Sequence, residues 1–542
     1  MPLVRNGKTL LSGVDPVRRA DQTADAVSVK DYTLYFCPSV LYGYGLARLL
    51  ARLEKEAPNS AILCVEKDGE LFELTEKNIE PALAANNRLR ITNICDEAGL
   101  CAFVREAWGA RAFRYLETVR FSGGWQLFPE VYDSLCSALR REIATDWSNA
   151  LTLAKLGRLY IRNALRNLSL IPRFPSCVNL SFGGAPVLVL GAGPSLDETL
   201  DALVKRYPQE INLNRPFKIV CVDTCIGALK DRGIIPDLVI ILESQHWNLR
   251  DFTGCYGWQA SFAIDLSALP QSALMLDGEG FMFMTPWTPL RIFERLKEAQ
   301  LIPAVLPPLG SVGLTAVELT RRLTTGKIIC AGLDFSFSQD KYHARGTPGH
   351  RSLLNSQNRL RSIFNAAVYN QSSIAAVSKD GLPVYTNPSM KNYRNLFEQE
   401  FGGDIRIFDI EGTGLPLGVK TLSMEDAMEL LVKIDPQFIS QGRRTSGSQD
   451  DEPPVREAQK EEKEDKLNSF YKDEKKRLEE LRRLLTGEAA ADNERLTVLI
   501  DECDYLWAHF PDYSASRRPA IGDISFLKRL RTEIDPMMEL LN

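Results

Sequence analysis

Histidine is scarce in this chain, with four among 542 residues: His246, His343, His350 and His509. His343 and His350 have no neighbouring set of ligands, so no metal site is expected. None of the eleven cysteines forms a CxxC pair. Several stand in apolar runs such as "AILCVEKDG" and "KIVCVD", where a reduced thiol packs as a small hydrophobe. That pattern argues against a disulfide framework and for a reducing, cytoplasmic setting. Neither sign of charge dominates: 65 Lys and Arg against 70 Asp and Glu leave a net charge of −5. No basic surplus points to nucleic acid as a partner. No apolar run approaches the roughly 18–20 residues of a membrane span. The opening "MPLVRNGKTLLSGVDPVRRADQTADAV" lacks the apolar core of a secretory signal.

What is there is an ordinary globular composition, 44% hydrophobic and 25% charged, in a chain too long for one core. Residues 1–172 read as a small α/β domain with connecting helices. In "YTLYFCPSVLYGYGLARLLARLEKEAPNSAILCVEKD", strand, glycine turn, amphipathic helix and strand follow one another. Glu66 closes the second strand, where an acid could hold a ribose. The turn is also explained by chain geometry alone, because Tyr44 and Arg48 would crowd a pyrophosphate. From Glu106 to Ile171 the pattern is mostly helical.

Residues 173–435 alternate apolar strands with amphipathic helices. "APVLVLGAG", "FKIVCVD", "DLVIILES", "SFAIDLSA", "FMFMTP", "AVLPPLG" and "KIICAGLDFSF" are the strands. Continuous apolar strands between helices predict a Rossmann-like parallel sheet covered on both faces. Its ligands belong at the carboxyl ends of the strands. Residues 436–465 are polar, charged and Pro-containing, and are expected to be a flexible linker. Residues 466–542 read as a helical module. Leu467, Phe470, Leu478, Leu481 and Leu485 lie on one broad face, a surface for self-association into a homo-oligomer.

The sharpest local signal is "VLVLGAGPSLDETL". Gly191 and Gly193 let an anion approach the backbone, Pro194 sets the turn, and Ser195 stands at a helix N-cap. The free N–H groups and dipole of that helix suit a phosphate. Neither the Walker ending nor the third glycine of a dinucleotide fingerprint is present. Asp223 and Thr224 end the next strand, Glu243 the third, and Asp334 a later one. Gly310, Ser311 and Gly313 make a second strand-to-helix turn. Singly, each is an ordinary cap or turn residue. Together on one sheet edge they bracket a base, a ribose and a phosphate. Tyr342 and His343 follow in a polar loop, "KYHARGTPGH", where a solvated side chain is the plain alternative to a catalytic one.

"VLVLGAGPSLDETLDAL", "KIVCVDTCIGALKDRGIIPDLVIILES", "PPLGSVGLTAVEL" and "KIICAGLDFSFSQDKYHARGTPG" together resemble the motility-associated factor (Maf) proteins. These are similar to a broader group, the MptE-like proteins, that includes a hydroxymethylpterin diphosphokinase. The resemblance spans roughly residues 30–430 and is strongest over 185–350. It implies a central domain like that of bacterial sialyltransferases. It also implies transfer of a nonulosonic, sialic-acid-like sugar from a CMP donor to Ser or Thr of flagellin, without a tightly bound cofactor. On that resemblance Gly191, Gly193, Pro194 and Ser195 hold the donor phosphate. Asp223 and Thr224 lie by the nucleotide or sugar, and Gly310 and Ser311 near the cytidine. Asp334 stands at the reacting edge, and Tyr342 and His343 meet the leaving phosphate or the acceptor. Glu243 replaces an Asp common in the family. Two alternatives remain. One is a diphosphokinase, moving pyrophosphate from Mg²⁺-ATP to a pterin-like alcohol with Asp223, Asp237 and Glu243 on the metal. The other is a flagellar accessory protein without activity.

Overall fold

The computed structural model describes all residues except 1–2, 110, 209–211, 213–214, 339–340, 361, 364–371, 433–452, 489–491, 514–518 and 542. It divides into two compact units: Met1–Gly157 with Trp507–Lys528, and Arg158–Leu506 with Arg529–Asn542. The segment read as a single C-terminal module is thus shared between them.

The first unit holds a four-stranded parallel sheet. Its strands are β1 (Thr33–Pro38), β2 (Ala61–Val65), β3 (Leu89–Thr92) and β4 (Tyr115–Thr118), in the order β3-β2-β1-β4. Helix α1 (Leu46–Glu56) buries Leu46, Leu49, Leu50 and Leu53. Their i, i+3, i+4, i+7 spacing puts four leucines on one face, and burying each stabilises by about 1.5–3 kcal/mol. Strand β4 falls in a stretch expected to be helical. It is four residues long and becomes a strand by pairing with β1, a long-range contact that local periodicity does not register. Glu66 is buried and already engaged. It accepts from the Ser39 hydroxyl at 2.5 Å, the Tyr132 hydroxyl at 3.1 Å and the Asp68 N–H at 3.2 Å. Its carboxylate is thus spent within the fold, in keeping with the reading of this turn by chain geometry alone. Gly45 has φ +82° and a Cβ there would lie 2.7 Å from the Phe121 ring, so this glycine serves the turn.

The second unit is built on a nine-stranded sheet, every pairing in it parallel. Its strands are β5 (Val187–Leu190), β6 (Lys218–Val222), β7 (Leu238–Ile241), β8 (Phe262–Asp265), β9 (Gly280–Met284), β10 (Ala304–Val305), β11 (Ile328–Ala331), β12 (Ile407–Ile410) and β13 (Lys420–Leu422). They stand in the order β10-β9-β8-β7-β6-β5-β11-β12-β13. Helices include α2 (Pro129–Asn167), whose last turns belong here, α3 (Leu196–Arg206) and α4 (Val312–Leu323). From β5 the chain adds strands to one side as far as β10. Helix α4 then returns it to the other side of β5. Strands β5 and β7 are buried at every position, as expected of a sheet with both faces covered. This is the Rossmann-like sheet the strand–helix alternation predicts.

Of the segment expected to be a linker, 436–452 lies outside the described residues. The rest is already helical in α5 (Pro453–Thr486). The apolar face of α5 is spent inside the chain: Leu467, Phe470, Leu478 and Leu481 are buried. At its centre buried Glu474 accepts from Arg295 at 3.0 and 2.8 Å, Arg477 at 2.7 Å and the Tyr505 hydroxyl at 2.8 Å. Four of the five side chains expected to serve self-association are thus packed within the chain, and Leu485 is half-buried.

Candidate functional site

The Gly191–Ser195 turn follows β5, next to β11. The anion at its helix N-terminus is one of the chain's own. The Ser195 N–H donates to Asp334 Oδ2 at 2.7 Å and the Ser195 hydroxyl to Oδ1 at 2.5 Å. The Gly191 N–H donates to Ala331 O and the Gly193 N–H to Gly332 O, both at 2.8 Å. Pro194 has no N–H to offer. A Cβ on Gly193 would stand 2.5 Å from Asp334 Oδ2, and one on Gly191 2.4 Å from Gly332 O. Both glycines are thus required by the approach of β11. Asp334 is itself buried, 2% exposed. Burial pushes its carboxyl up, opposed by the Lys379 ammonium, and Lys379 pairs with buried Asp409 at 2.8 Å. The donors expected for the phosphate at Gly191, Gly193 and Ser195, and the Asp334 carboxylate expected at the reacting edge, are thus bonded within the chain. They form an internal lock between β5 and β11.

The second glycine turn is open. Gly310, at φ +69°, and Ser311, the N-cap, lead into α4. The Ser311 side chain makes no capping bond. The first turn of a helix presents N–H groups without intrahelical partners. Gly310 and Val312 line a cavity of about 310 Å³. Its floor comes from the carboxyl ends of five consecutive strands: Asp223 after β6, Glu243 after β7, Ser267 after β8, Thr285 after β9 and Leu309 after β10. Tyr160 of α2 and Trp287 wall it, with ring centroids 5.3 Å apart.

Two asparagines on α2 fasten that wall to the strand ends. Asn163 donates to Ser244 O at 2.9 Å and Ser267 O at 3.1 Å. One turn later Asn167 donates to Leu266 O at 2.9 Å and Ala268 O at 2.8 Å. Buried Asp265 ties β8 to β9 by accepting from the Ser267 N–H at 2.7 Å, and from the N–H and hydroxyl of Thr285 at 2.7 and 2.8 Å.

Three carboxyls face the cavity: Asp223, Glu243 and Asp251. Asn248 bridges two of them, donating to Asp223 Oδ2 at 2.7 Å and reaching Asp251 Oδ2 at 3.4 Å, while the Ser272 hydroxyl holds its Oδ1 at 2.7 Å. The Thr224 N–H donates to Asp223 Oδ1 at 2.8 Å. Burial pushes the Asp223 carboxyl up to about 6. Burial, and then the charge of Asp223, push Asp251 up to about 7. The Tyr160 hydroxyl is raised to about 12, by burial and then by Glu243. No lysine, arginine or histidine is among the cavity's described lining residues.

Of the residues singled out from the sequence, the structure brings Asp223, Thr224, Glu243 and Gly310 together, with Ser311 between the lining residues Gly310 and Val312. It does not bring Tyr342 or His343 into the cavity wall. Tyr342 packs on Phe337 at 4.9 Å, and its hydroxyl accepts from Asn387 at 3.4 Å. Burial, then His350, push His343 down to about 4. That favours the neutral imidazole near pH 7, and His343 stands outside the cavity's described wall. Asp237 lies at the amino end of β7, paired with Arg215 and with Lys218 at 3.1 Å, so it is not with Asp223 and Glu243. Among the described residues no group of three or more His, Cys, Asp or Glu side chains is placed to hold a metal ion. Sequence reasoning missed Asp251, Asn248, Tyr160 and Trp287. They come from a non-periodic loop, a helix surface and a Pro-flanked turn, and only the fold collects them.

Fold and cavity define a doubly wound α/β domain with its site on the carboxyl edge. Residues 161–340 match the family described as 6-hydroxymethylpterin diphosphokinase MptE-like. They form an MptE-like domain, running from the last turns of α2 beyond β11. The chain is 27% identical over 528 residues to an uncharacterized protein of Treponema pallidum (strain Nichols), covering 95% of this chain and 89% of that one. Its fold is that of the Maf glycosyltransferase from Magnetospirillum magneticum AMB-1, with TM-score 0.53 and 16% identity over 100% of this chain and 84% of the other. The resemblance to Maf and MptE-like proteins read from the sequence is thus upheld. Among the described residues no helix is long and apolar enough to cross a membrane.

Proposed function

We propose that this chain is a glycosyltransferase that moves a nonulosonic sugar from a CMP donor to a Ser or Thr hydroxyl of flagellin, with the 310 Å³ cavity as its donor site. The observation that carries the reading is the cavity's charge. One helix N-terminus faces three carboxyls, with no basic side chain on the described wall. A single phosphodiester suits the α4 N-terminus. A triphosphate facing Asp223, Glu243 and Asp251 would need a divalent cation between them, and among the described residues no three such side chains are placed to hold one. The fold shared with a Maf glycosyltransferase supports sugar transfer; the donor and acceptor rest on the Maf-like motifs of the sequence.

The chemistry follows from the groups present. As the bond to CMP lengthens, negative charge grows on the phosphate and positive charge on the sugar ring. N–H groups of Gly310–Leu314 stabilise the first, and the carboxylates the second. Trp287 and Tyr160 offer ring faces to the sugar. A carboxylate of the Asp223–Asp251 pair accepts the proton of the attacking hydroxyl. Titrating near 6 and 7, the pair is matched to a base working at neutral pH. No tightly bound cofactor is required.

The test is turnover of a CMP-nonulosonate with flagellin, and thermal stabilisation by CMP and by Mg²⁺-ATP. Asp251→Asn is expected to lower turnover by about 10²–10⁴-fold while retaining CMP binding. Stabilisation by Mg²⁺-ATP with none by CMP would instead favour the diphosphokinase that the family's description names.

A further inference from the structure

The amino edge of the N-terminal sheet carries a second cavity, of about 530 Å³ and contained in the first unit. Tyr32, Ser60, Arg88 and Arg114 each stand on its wall, just before β1, β2, β3 and β4 respectively. Ligands of parallel sheets are sought on the opposite edge, and there Glu66 and the Gly45 turn are used by the fold itself.

Three guanidinium groups line this cavity: Arg88, Arg111 and Arg114. Among the described residues none of them is in an ion pair. Arg88 Nη1 is buried without a hydrogen-bond partner. The Arg114 guanidinium lies over two rings, 4.8 Å from the centroid of Tyr32 and 4.4 Å from that of Trp147. The indole N–H groups of Trp108 and Trp147 are satisfied by Asn87 O at 2.9 Å and Phe113 O at 2.6 Å. Both indoles therefore offer ring surface and no donor. On the described wall itself Asp512 is the one carboxylate against three guanidinium groups, while Asp146 stands beside Arg111 and Asp31 is bonded to Asn59.

We infer that the N-terminal unit holds a second small-molecule site, for a ring compound bearing one carboxylate or phosphate. Arg88 and Arg114 supply unspent donors in a planar fork, the geometry that grips either anion. Trp108 and Trp147 pack on the ring. The volume is that of a pocket for a small molecule. The inference does not rest on the function proposed for the central cavity.

The anion has two sources, a nucleotide phosphate or an acidic sugar carboxylate. Equilibrium dialysis of the full chain against AMP and glucuronic acid, neither of them the donor proposed for the central cavity, separates them. At least one probe is expected to bind with an affinity that falls about ten- to a hundredfold in Arg88→Gln and in Arg114→Gln, through loss of charge-assisted bonds. Ala150→Trp, which fills the cavity from α2 without removing a charge, abolishes it and decides the matter if an arginine variant fails to fold. The inference is overturned if no probe binds, or if every probe binds Arg88→Gln, Arg114→Gln and Ala150→Trp as it binds the native chain.

Discussion

Replacing Asp223 by Asn is expected to stabilise the protein above neutral pH and leave it almost unchanged in acid. Asp223 is 2% exposed, so solvent does little to screen it. Its carboxyl is held up to about 6 by burial, against about 4 in the unfolded chain. A group raised on folding contributes stability that is fully present below its unfolded value and lost as pH rises through the folded one. From pH 4 to pH 8 the native chain therefore loses about 3 kcal/mol at this residue. Asparagine resembles the protonated acid in shape and hydrogen bonding, and it does not ionise. It accepts from the Thr224 N–H as Asp223 does, and Asn248 can turn its amide to meet it. The variant's advantage should thus grow from near zero at pH 4 to about 3 kcal/mol at pH 8. Asp251 adds to it, since the charge of Asp223 helps to raise that carboxyl. Urea unfolding of both chains between pH 4 and pH 8 reads the difference. Parallel stability curves would refute the reasoning, because the cavity acids would then be solvated and unable to work as a tuned base.

Other outcomes follow from the lock and the clamp. Asp334→Ala removes the acceptor of two bonds from Ser195 and should lower stability by about 2–4 kcal/mol, measured by urea unfolding; an unchanged midpoint would mean that the lock is open in solution. Gly193→Val should give an unstable protein, since its Cβ would overlap Asp334 and Gly332; a variant of native stability that merely fails to bind CMP would restore this turn as a phosphate site. Asn167→Ala strips the carbonyls of Leu266 and Ala268 of a buried partner and should cost about 1–3 kcal/mol, seen as earlier thermal unfolding. His343→Ala should keep turnover close to that of the native chain, and a large loss would bring this loop back into the reaction.

Strand-to-helix alternation, apolar strand cores and glycine turns are properties of short stretches of chain. They were enough to establish a parallel sheet, to place Asp223, Thr224 and Glu243 on its carboxyl edge, and to mark Gly310 and Ser311 as the start of a helix. Which of the two glycine turns is open was decided by tertiary structure. Local chemistry shows that a helix N-terminus attracts an anion. It does not show which anion arrives, and at Ser195 it is Asp334, 139 residues further along the chain. The same holds for Asp251 and Asn248, whose loop has no periodicity to read, and for Tyr160, whose helix reads as a mere connector until Asn163 and Asn167 fasten it to the strand ends. Arg88, Arg111 and Arg114 belong to segments that separately resemble solvated turns; only the stacking of parallel strands brings their amino ends, and so their charges, to one cavity.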